Sequence, residues 1–479
     1  MIDLESISKY QENNRIEAKT ALGGLPHSIW ETYSAFANTL GGIILLGVRE
    51  EKDKSFHTVN LPAPESLVRE FWDSVNDPKT ASVNILSRRD VRIETINGDR
   101  IIVINIPRAD RCYKPVFVEG NPMNTYRRNG EGDYKCTAEE YQAMVRDASF
   151  QTQDMLLLED SDPDMICGKS LSGYRHLMKY SRPGHIWESL DDDEFLMKMG
   201  AAGIGKDGKI HLTCGGLLLF GKEKDIIRVF PEYSLEYRDF RDDYILSSSG
   251  DWSGNVMDFY FRVRRKLNSD INIPCETHGI GKNSDTPLQF ALREAFANSL
   301  VNADYYLGGG ITVEKLKDQI IFSNPGTFRV DVEAAISGGV FDPRNNVIRN
   351  FFNMISIGDR AGSGIPNIFR VWRENNWQEP KITQAVGPDR TTLTLSFLPK
   401  VKKKASDRSV NNSELTMKQI KRQMIIAYLT EHRAASAADL ASYLNLRVSR
   451  VREYLQELIA ENVVIEEVKN KIRIYRLKA

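Results

Sequence analysis

The segment ENNRIEAK, residues 12–19, sets two carboxylates, Glu12 and Glu17, five positions apart with Lys19 beside them. Carboxylates so grouped can hold a divalent cation for work on nucleic acid, or can form the polar rim of a strand. Further along, Glu294, Asn298 and Asn302 recur at every fourth position, the spacing that lines up one face of a helix. Such a stripe is either an ordinary wet face or a row of polar groups aimed at a ligand. A third set is basic: Arg447, Arg450 and Arg452, with Ser449 among them, open one segment, and Lys469, Lys471 and Arg473 follow it. Arginines on the first turns of a helix can pair with guanine or clamp phosphates.

Three kinds of element must position these groups. RIEAK alternates Ile16 and Ala18 against Arg15, Glu17 and Lys19, the pattern of a strand with one apolar face. A helix opening at Pro26 carries Ile29, Tyr33, Phe36, Ala37 and Leu40 on one side and ends at Gly41–Gly42. IILLGV reads as a buried strand; ASVNILSRRDVRIETI and RIIVINIP read as further strands turning at Asn97–Gly98. This first α/β segment, 1–150, closes with a basic loop at Arg127 and Arg128 and a helix.

Residues 151–275 read as a mixed connecting region, with helices near 168–181, 192–200 and 255–267 and a strand at YSLEYRDF. GIGKDG at 203–208 matches G-x-G-x-x-G but precedes a strand, so it reads as a turn and not a dinucleotide site. Over 276–400 come a long helix holding the Glu–Asn stripe, a hairpin turning near Lys317–Asp318, an irregular stretch to 358, a helix after RAGSG, and the strand TTLTLSFL. Residues 401–416 form a polar, basic linker. Residues 417–479 give three helices and a hairpin turning at Lys469–Asn470, which spells a winged helix-turn-helix.

The 479 residues are too many for one core, and 41% hydrophobic with 27% charged is a globular composition. No 18-residue apolar run spans a bilayer, and no basic-then-apolar start marks a signal peptide, so a cytoplasmic location is expected. Cys112, Cys136, Cys167, Cys214 and Cys275 form no C-x-x-C pair, which argues against a zinc site and a disulfide framework. From Lys400 onward 17 Lys and Arg face 9 Asp and Glu, a net of +8; the rest carries 47 against 56, a net of −9. An acidic body with a basic tail suits a chain whose last module meets a polyanion.

E-x4-E-x-K followed by A-F-A-N-T-x-G-G resembles the Schlafen-core, or divergent AlbA-type, domain over residues 5–145. The resemblance implies a nuclease acid cluster of Glu12, Glu17 and Glu50 holding Mg2+ or Mn2+, with Lys19, Arg127 and Arg128 contacting nucleic acid. Many relatives of this layout bind nucleic acid without cutting it. The helix with Glu294 and Asn298, followed by a hairpin and Gly362–Ser363–Gly364, resembles the GHKL ATPase fold. That likeness implies ATP and Mg2+, with Glu294 as base, Asn298 on the metal, and Asn302, Asn324, Gly326, Gly362 and Gly364 around the nucleotide. This chain has Asn324–Pro325–Gly326 where those ATPases carry Asp-x-Gly.

The expected architecture is therefore multidomain α/β and α+β: a Schlafen-core domain, a GHKL-like α/β sandwich and a C-terminal winged helix. The combination resembles predicted bacterial transcriptional regulators. No P-loop is present, which argues against a motor helicase. The expected protein binds DNA, or RNA, as a homodimer or higher homo-oligomer. A Schlafen-like endoribonuclease and a GHKL-type ATPase are the enzymatic alternatives.

Overall fold

A computed structural model describes residues 15–250, 252–269, 286–358 and 362–400 and, after them, 422, 425–426, 428–429, 434–444, 448–460, 463–469 and 472–477. The protein is a mixed α/β chain of several sheets, divided into two compact units at Val401/Lys402. Among the described residues no helix is long and apolar enough to cross a membrane.

The first unit begins with β1 (Ile16–Lys19), α1 (Ile29–Asn38), β2 (Gly42–Leu46), β3 (Val48–Glu50), β4 (Phe56–Thr58), α2 (Pro64–Val75), β5 (Val91–Ile96) and β6 (Asp99–Ile106). Then come β7 (Tyr126–Asn129), β8 (Gly132–Lys135) and α3 (Ala138–Ala148). Strands β1, β2, β6 and β5 form one sheet in that order, with β1 parallel to β2 and the others antiparallel. The unbroken apolar run of β2 has a cause: Ile44 and Leu46 enter one core with α1 and α2, while Leu45 enters a second core on the opposite face. At the end of α1, Gly41 has φ +73° and donates its N–H to Phe36 O, and a side chain there would meet the backbone at Ile106 within 2.8 Å. Asn97 and Gly98, both at positive φ, make the tight β5–β6 turn. The strand expected from Ala81 begins only at Val91, because Ser87 and Asp90 close a capping box around a short helical turn.

The rest of the first unit adds α4 (Gly168–Ser181), α5 (Asp192–Met199), β9 (Ala202–Ile204), β10 (Ile210–Leu212), α6 (Cys214–Phe220), α7 (Glu223–Val229), β11 (Leu235–Asp239), β12 (Tyr244–Ser247) and α8 (Val256–Ser269). It continues with α9 (Pro287–Val301), β13 (Ile311–Lys315), β14 (Gln319–Pro325), α10 (Val332–Ser337), α11 (Asn346–Met354), α12 (Gly364–Glu374), β15 (Lys381–Ala385) and β16 (Arg390–Ser396). Gly205–Gly208 lies between β9 and β10, which pair as a hairpin. The order β12-β11-β13-β14-β16-β15 makes a six-stranded sheet, so strands from 235–247 join those after 310 and the sheet runs across position 275. One core, from Leu171 to Leu395, packs the helices against it. The stretch to 358 is not wholly irregular, since it contains α10 and α11. Thr286 and Gln289 cap α9 reciprocally, with Pro287 at its first position.

The second unit contains β17 (Ala435–Ser436), α13 (Ala437–Leu444), α14 (Val448–Ala460), β18 (Val464–Lys469) and β19 (Ile472–Leu477). Strand β19 is central, paired antiparallel with both β17 and β18. Ile425 and Leu429 pack with Leu440, Leu444, Val451, Leu455 and Leu458 in its core. Ser436 accepts from the Asp439 N–H at 3.2 Å and donates its own N–H to the Asp439 carboxylate at 2.9 Å, starting α13 as a capping box.

Candidate functional site

Strand β1 turns Glu17 toward two cations. Its carboxylate meets Lys19 Nζ at 2.9 Å and the Arg128 guanidinium at 3.0 Å. Arg128 also holds Asp133 at 2.9 Å, donates to Ile16 O at 3.3 Å and stacks on Phe36. Glu50 closes β3; its Oε1 is enclosed and accepts no hydrogen bond among the described residues, while Arg49 pairs with Glu51 at 2.8 Å. Glu12 lies outside the described residues. Among those that are described, no group of three or more His, Cys, Asp or Glu is arranged to hold a metal ion.

Arg127 and Arg128 are not surface cations. Arg127 is 8% and Arg128 2% exposed, because β7 packs against α1 and both guanidiniums fold inward. Arg127 meets Asp389 at 2.5 Å and Glu140 at 3.4 Å. Burying such charges is tolerable only with partners in place, so their present work is to hold the fold together.

The polar stripe of α9 borders a cleft of about 1130 Å³ with its mouth included. Glu294, Asn298, Asn302, Asn324, Gly362 and Gly364 all line it, so the structure brings together what 70 residues of sequence separate. Gly326 lies one wall away, against the Arg344 guanidinium, in a neighbouring cavity. Asn324 is buried on β14, and its Nδ2 donates to Pro325 O at 3.0 Å. That leaves its amide oxygen to accept from an exocyclic amine, beside the apolar walls of Phe322, Ile382 and Leu393. A flat heteroaromatic ring fits this end.

The phosphate end does not fit. Glu294 is 4% exposed and its Oε1 accepts the Gly358 N–H at 2.6 Å. A side chain on Gly364 would stand 2.7 Å from Glu294 Oε2 and 3.2 Å from Asn298 Nδ2, so the first turn of α12 is seated directly on this pair. A carboxylate occupies the place where a helix N-terminus would receive an anion. The residues present suit a base-like ring better than a triphosphate with Mg2+, and no hydrolytic step follows from them.

In the second unit the candidate cations divide. Arg450 and Arg452 are exposed on the first turns of α14, Arg450 pairing with Glu453 at 2.5 Å over the Tyr454 ring. Arg473 on β19 is exposed and meets Glu466 at 3.0 Å. Arg447, Lys471 and the side chain of Lys469 lie outside what is described.

Residues 12–137 match the domain family described as "Schlafen, AlbA_2". The chain carries a Schlafen-type AlbA domain. Residues 308–395 match "Putative ATP-dependent DNA helicase recG C-terminal", and residues 142–236 match a "Domain of unknown function (DUF8451)". The RecG-type match spans β13 to β16 and leaves the Glu294–Asn298 stripe of α9 outside it. No curated protein matches the chain at the same stringency. Among solved structures, the DIP2311 protein from Corynebacterium diphtheriae is 16% identical over 97% of this chain and 92% of that one, with a TM-score of 0.40. The N-terminal domain of a RecG-related protein from Nitrosomonas europaea is 29% identical over 28% of this chain and 90% of that one, with a TM-score of 0.22. The two named domain types place the chain among proteins with nucleic-acid-related functions.

Sequence reasoning missed the charges between the Schlafen-type domain and the six-stranded sheet. Arg344 grips Asp147 through two bonds of 2.7 and 3.0 Å, and Arg111 meets Asp342 at 2.5 Å. These residues sit in loops and at helix ends with no periodicity to expose them.

Proposed function

We propose that this protein is a DNA-binding transcriptional regulator whose second unit is a winged helix. The observation that carries the reading is α14, which projects Arg450 and Arg452 into solvent from its first turns within a segment of net charge +8. Strand β17 closing on the β18–β19 hairpin, with two helices beside it, agrees with a winged arrangement. The AlbA-type domain supplies a second nucleic-acid contact, and the α9–β14 cleft takes a purine-like effector. A homodimer on two half-sites is the assembly this reading favours.

Full-length protein titrated with fluorescent duplex DNA across a salt series tests it. Tight retention at low salt with a steep negative slope of log K against log salt is expected, and removing 402–479 should flatten that slope. An unchanged slope after truncation would place the contact elsewhere. Adenosine or ATP should bind wild type more tightly than Asn324→Ala if the cleft reads a base.

One observation favours a second reading, a metal-dependent endoribonuclease: the enclosed Oε1 of Glu50, without a partner among the described residues, on a strand that packs beside β1, the strand of Glu17. Under it, structured RNA is cut with Mg2+ or Mn2+, and Glu17→Gln with Glu50→Gln abolishes cutting. Cleavage that survives both changes excludes this acid edge.

A further inference from the structure

A second cavity of about 680 Å³ lies between the Schlafen-type domain and the end of the six-stranded sheet. Six cationic side chains line it against four carboxylates, those of Glu140, Asp147, Asp304 and Asp389. The carboxylates are mostly spoken for: Asp147 by Arg344, Asp389 and Glu140 by Arg127, and Asp304 by Arg146 at 3.8 Å.

Two cations remain. Lys114 Nζ donates to Asn38 O at 2.7 Å, and the Arg108 guanidinium donates to Phe328 O. Neither has a carboxylate within ion-pair distance among the described residues. Burial and the nearby Arg108 and Arg127 charges hold the Lys114 ammonium well below its ordinary range, and burial lowers Arg108 as well. On this wall the Nε–H of Arg127 is buried with no acceptor among the described residues, and that of Arg329 has only the Asp342 carboxylate, 3.5 Å away. Positive charge answered at hydrogen-bond range only by carbonyls, with Asp147 and Asp389 acting from further off, is an arrangement that a compact anion completes.

We propose that this cavity binds a small phosphate-bearing anion on Arg108 and Lys114. Bound there, the anion touches the AlbA-type domain through Arg108 and Lys114, and the RecG-type segment through the 326–329 loop and Arg344 that share the cavity. It adds to the bridges already joining the two, Arg127 to Asp389 and Arg111 to Asp342. The site lies across a common wall, Thr327–Arg329 and Arg344, from the cleft beside Asn324 and does not depend on the regulator reading.

Thermal unfolding of the full chain in rising inorganic phosphate, against sodium chloride at matched ionic strength, tests the site. Phosphate is expected to raise the melting temperature saturably while chloride does not. Lys114→Gln should move half-saturation to phosphate concentrations about tenfold higher or more. Asp389→Asn removes the carboxylate that competes for Arg127 and should move half-saturation the other way. Adenosine monophosphate in place of phosphate, compared in an Asn324→Ala background and with Lys114→Gln added so that the cleft beside Asn324 does not contribute, identifies the source: tighter saturation lost with Lys114→Gln assigns a nucleotide, equal saturation a free phosphate, and either supports the site. Equal effects of phosphate and chloride overturn the proposal, as does a Lys114→Gln protein with wild-type circular dichroism and an unchanged midpoint. Should Lys114→Gln not fold, Asp389→Asn decides, and an unchanged or weakened midpoint there overturns it.

Discussion

Arg128 shows how a residue's setting decides its work. In the sequence NTYRRNGEGDYK it reads as a cation in a basic loop, because charge and glycine surround it. In the structure Tyr126, Arg127 and Arg128 are all buried in β7, and Arg128 answers Glu17 and Asp133 at once. Local composition could not show this, since Glu17 comes 111 positions earlier. The α9 stripe was legible, because a repeat of four is a property of the helix itself, and Asn298 and Asn302 line the cleft as that repeat requires. Legible position did not give legible role, for Glu294 spends one oxygen on the Gly358 amide. Arg128→Ala should destabilise the first unit by about 3 kcal/mol, since it removes the buried cation shared by Glu17 and Asp133 and leaves them only Lys19 and the Thr32 hydroxyl. Urea unfolding followed by tryptophan fluorescence measures the loss. A midpoint like that of wild type would mean the guanidinium is dispensable to the fold and return it to the list of nucleic-acid contacts. Gly364→Ala, which drives a methyl toward Glu294 and Asn298, should cost about 1–3 kcal/mol by the same measurement.

Elements announced by their own periodicity and caps, such as α1, α9 and the β5–β6 turn, are readable one segment at a time. Helix α11 is not. Its first amides are satisfied from far away: Asn346 N–H donates to Thr152 Oγ1 at 3.2 Å and Ile348 N–H to Asp154 Oδ2 at 3.0 Å, both 194 positions distant. With its cap borrowed, the stretch carries no local start signal, and it reads as irregular. The borrowed cap has a titration consequence. Asp154 is 1% exposed, and burial pushes its pKa up to about 6 in spite of these bonds. The folded protein thus holds this proton more tightly than the unfolded chain does. Ionised Asp154 is a burden above pH 6, relieved as pH falls from about 6 toward 4. Wild type should therefore gain stability over Asp154→Asn on going from pH 7 to pH 5, by about 1 kcal/mol of the roughly 3 kcal/mol reached below pH 4. Denaturant midpoints of both proteins at the two pH values give the difference. A difference that is constant or of opposite sign rejects the burial argument.

At the scale of the whole chain, borders of composition and borders of hydrogen bonding obey different causes. The chain divides into compact units at Val401/Lys402, where the sequence turns polar, basic and poor in apolar residues. The border expected at 275 has no counterpart in the sheet, since a strand's partners are set by hydrogen bonding across space and β11 pairs with β13. The charge division then makes a quantitative demand on the regulator reading. A net of −9 over residues 1–399 repels a polyanion, so the regulator reading asks most of the duplex affinity of cations that project from residues 400–479. Arg450 and Arg452 are two such cations, and both are exposed, so Arg450→Gln with Arg452→Gln should leave stability within about 0.5 kcal/mol of wild type. If both contact phosphates, the slope of log K against log salt should become shallower by about 1.8, the release expected for two neutralised phosphates. If they read bases instead, affinity for a preferred sequence should fall by roughly 1–3 kcal/mol per arginine while the non-specific slope holds. Anisotropy titrations on random and selected duplexes separate the two outcomes. A double variant that matches wild type on both duplexes at every salt concentration would remove α14 from the interface, and with it the main support for a DNA-binding second unit.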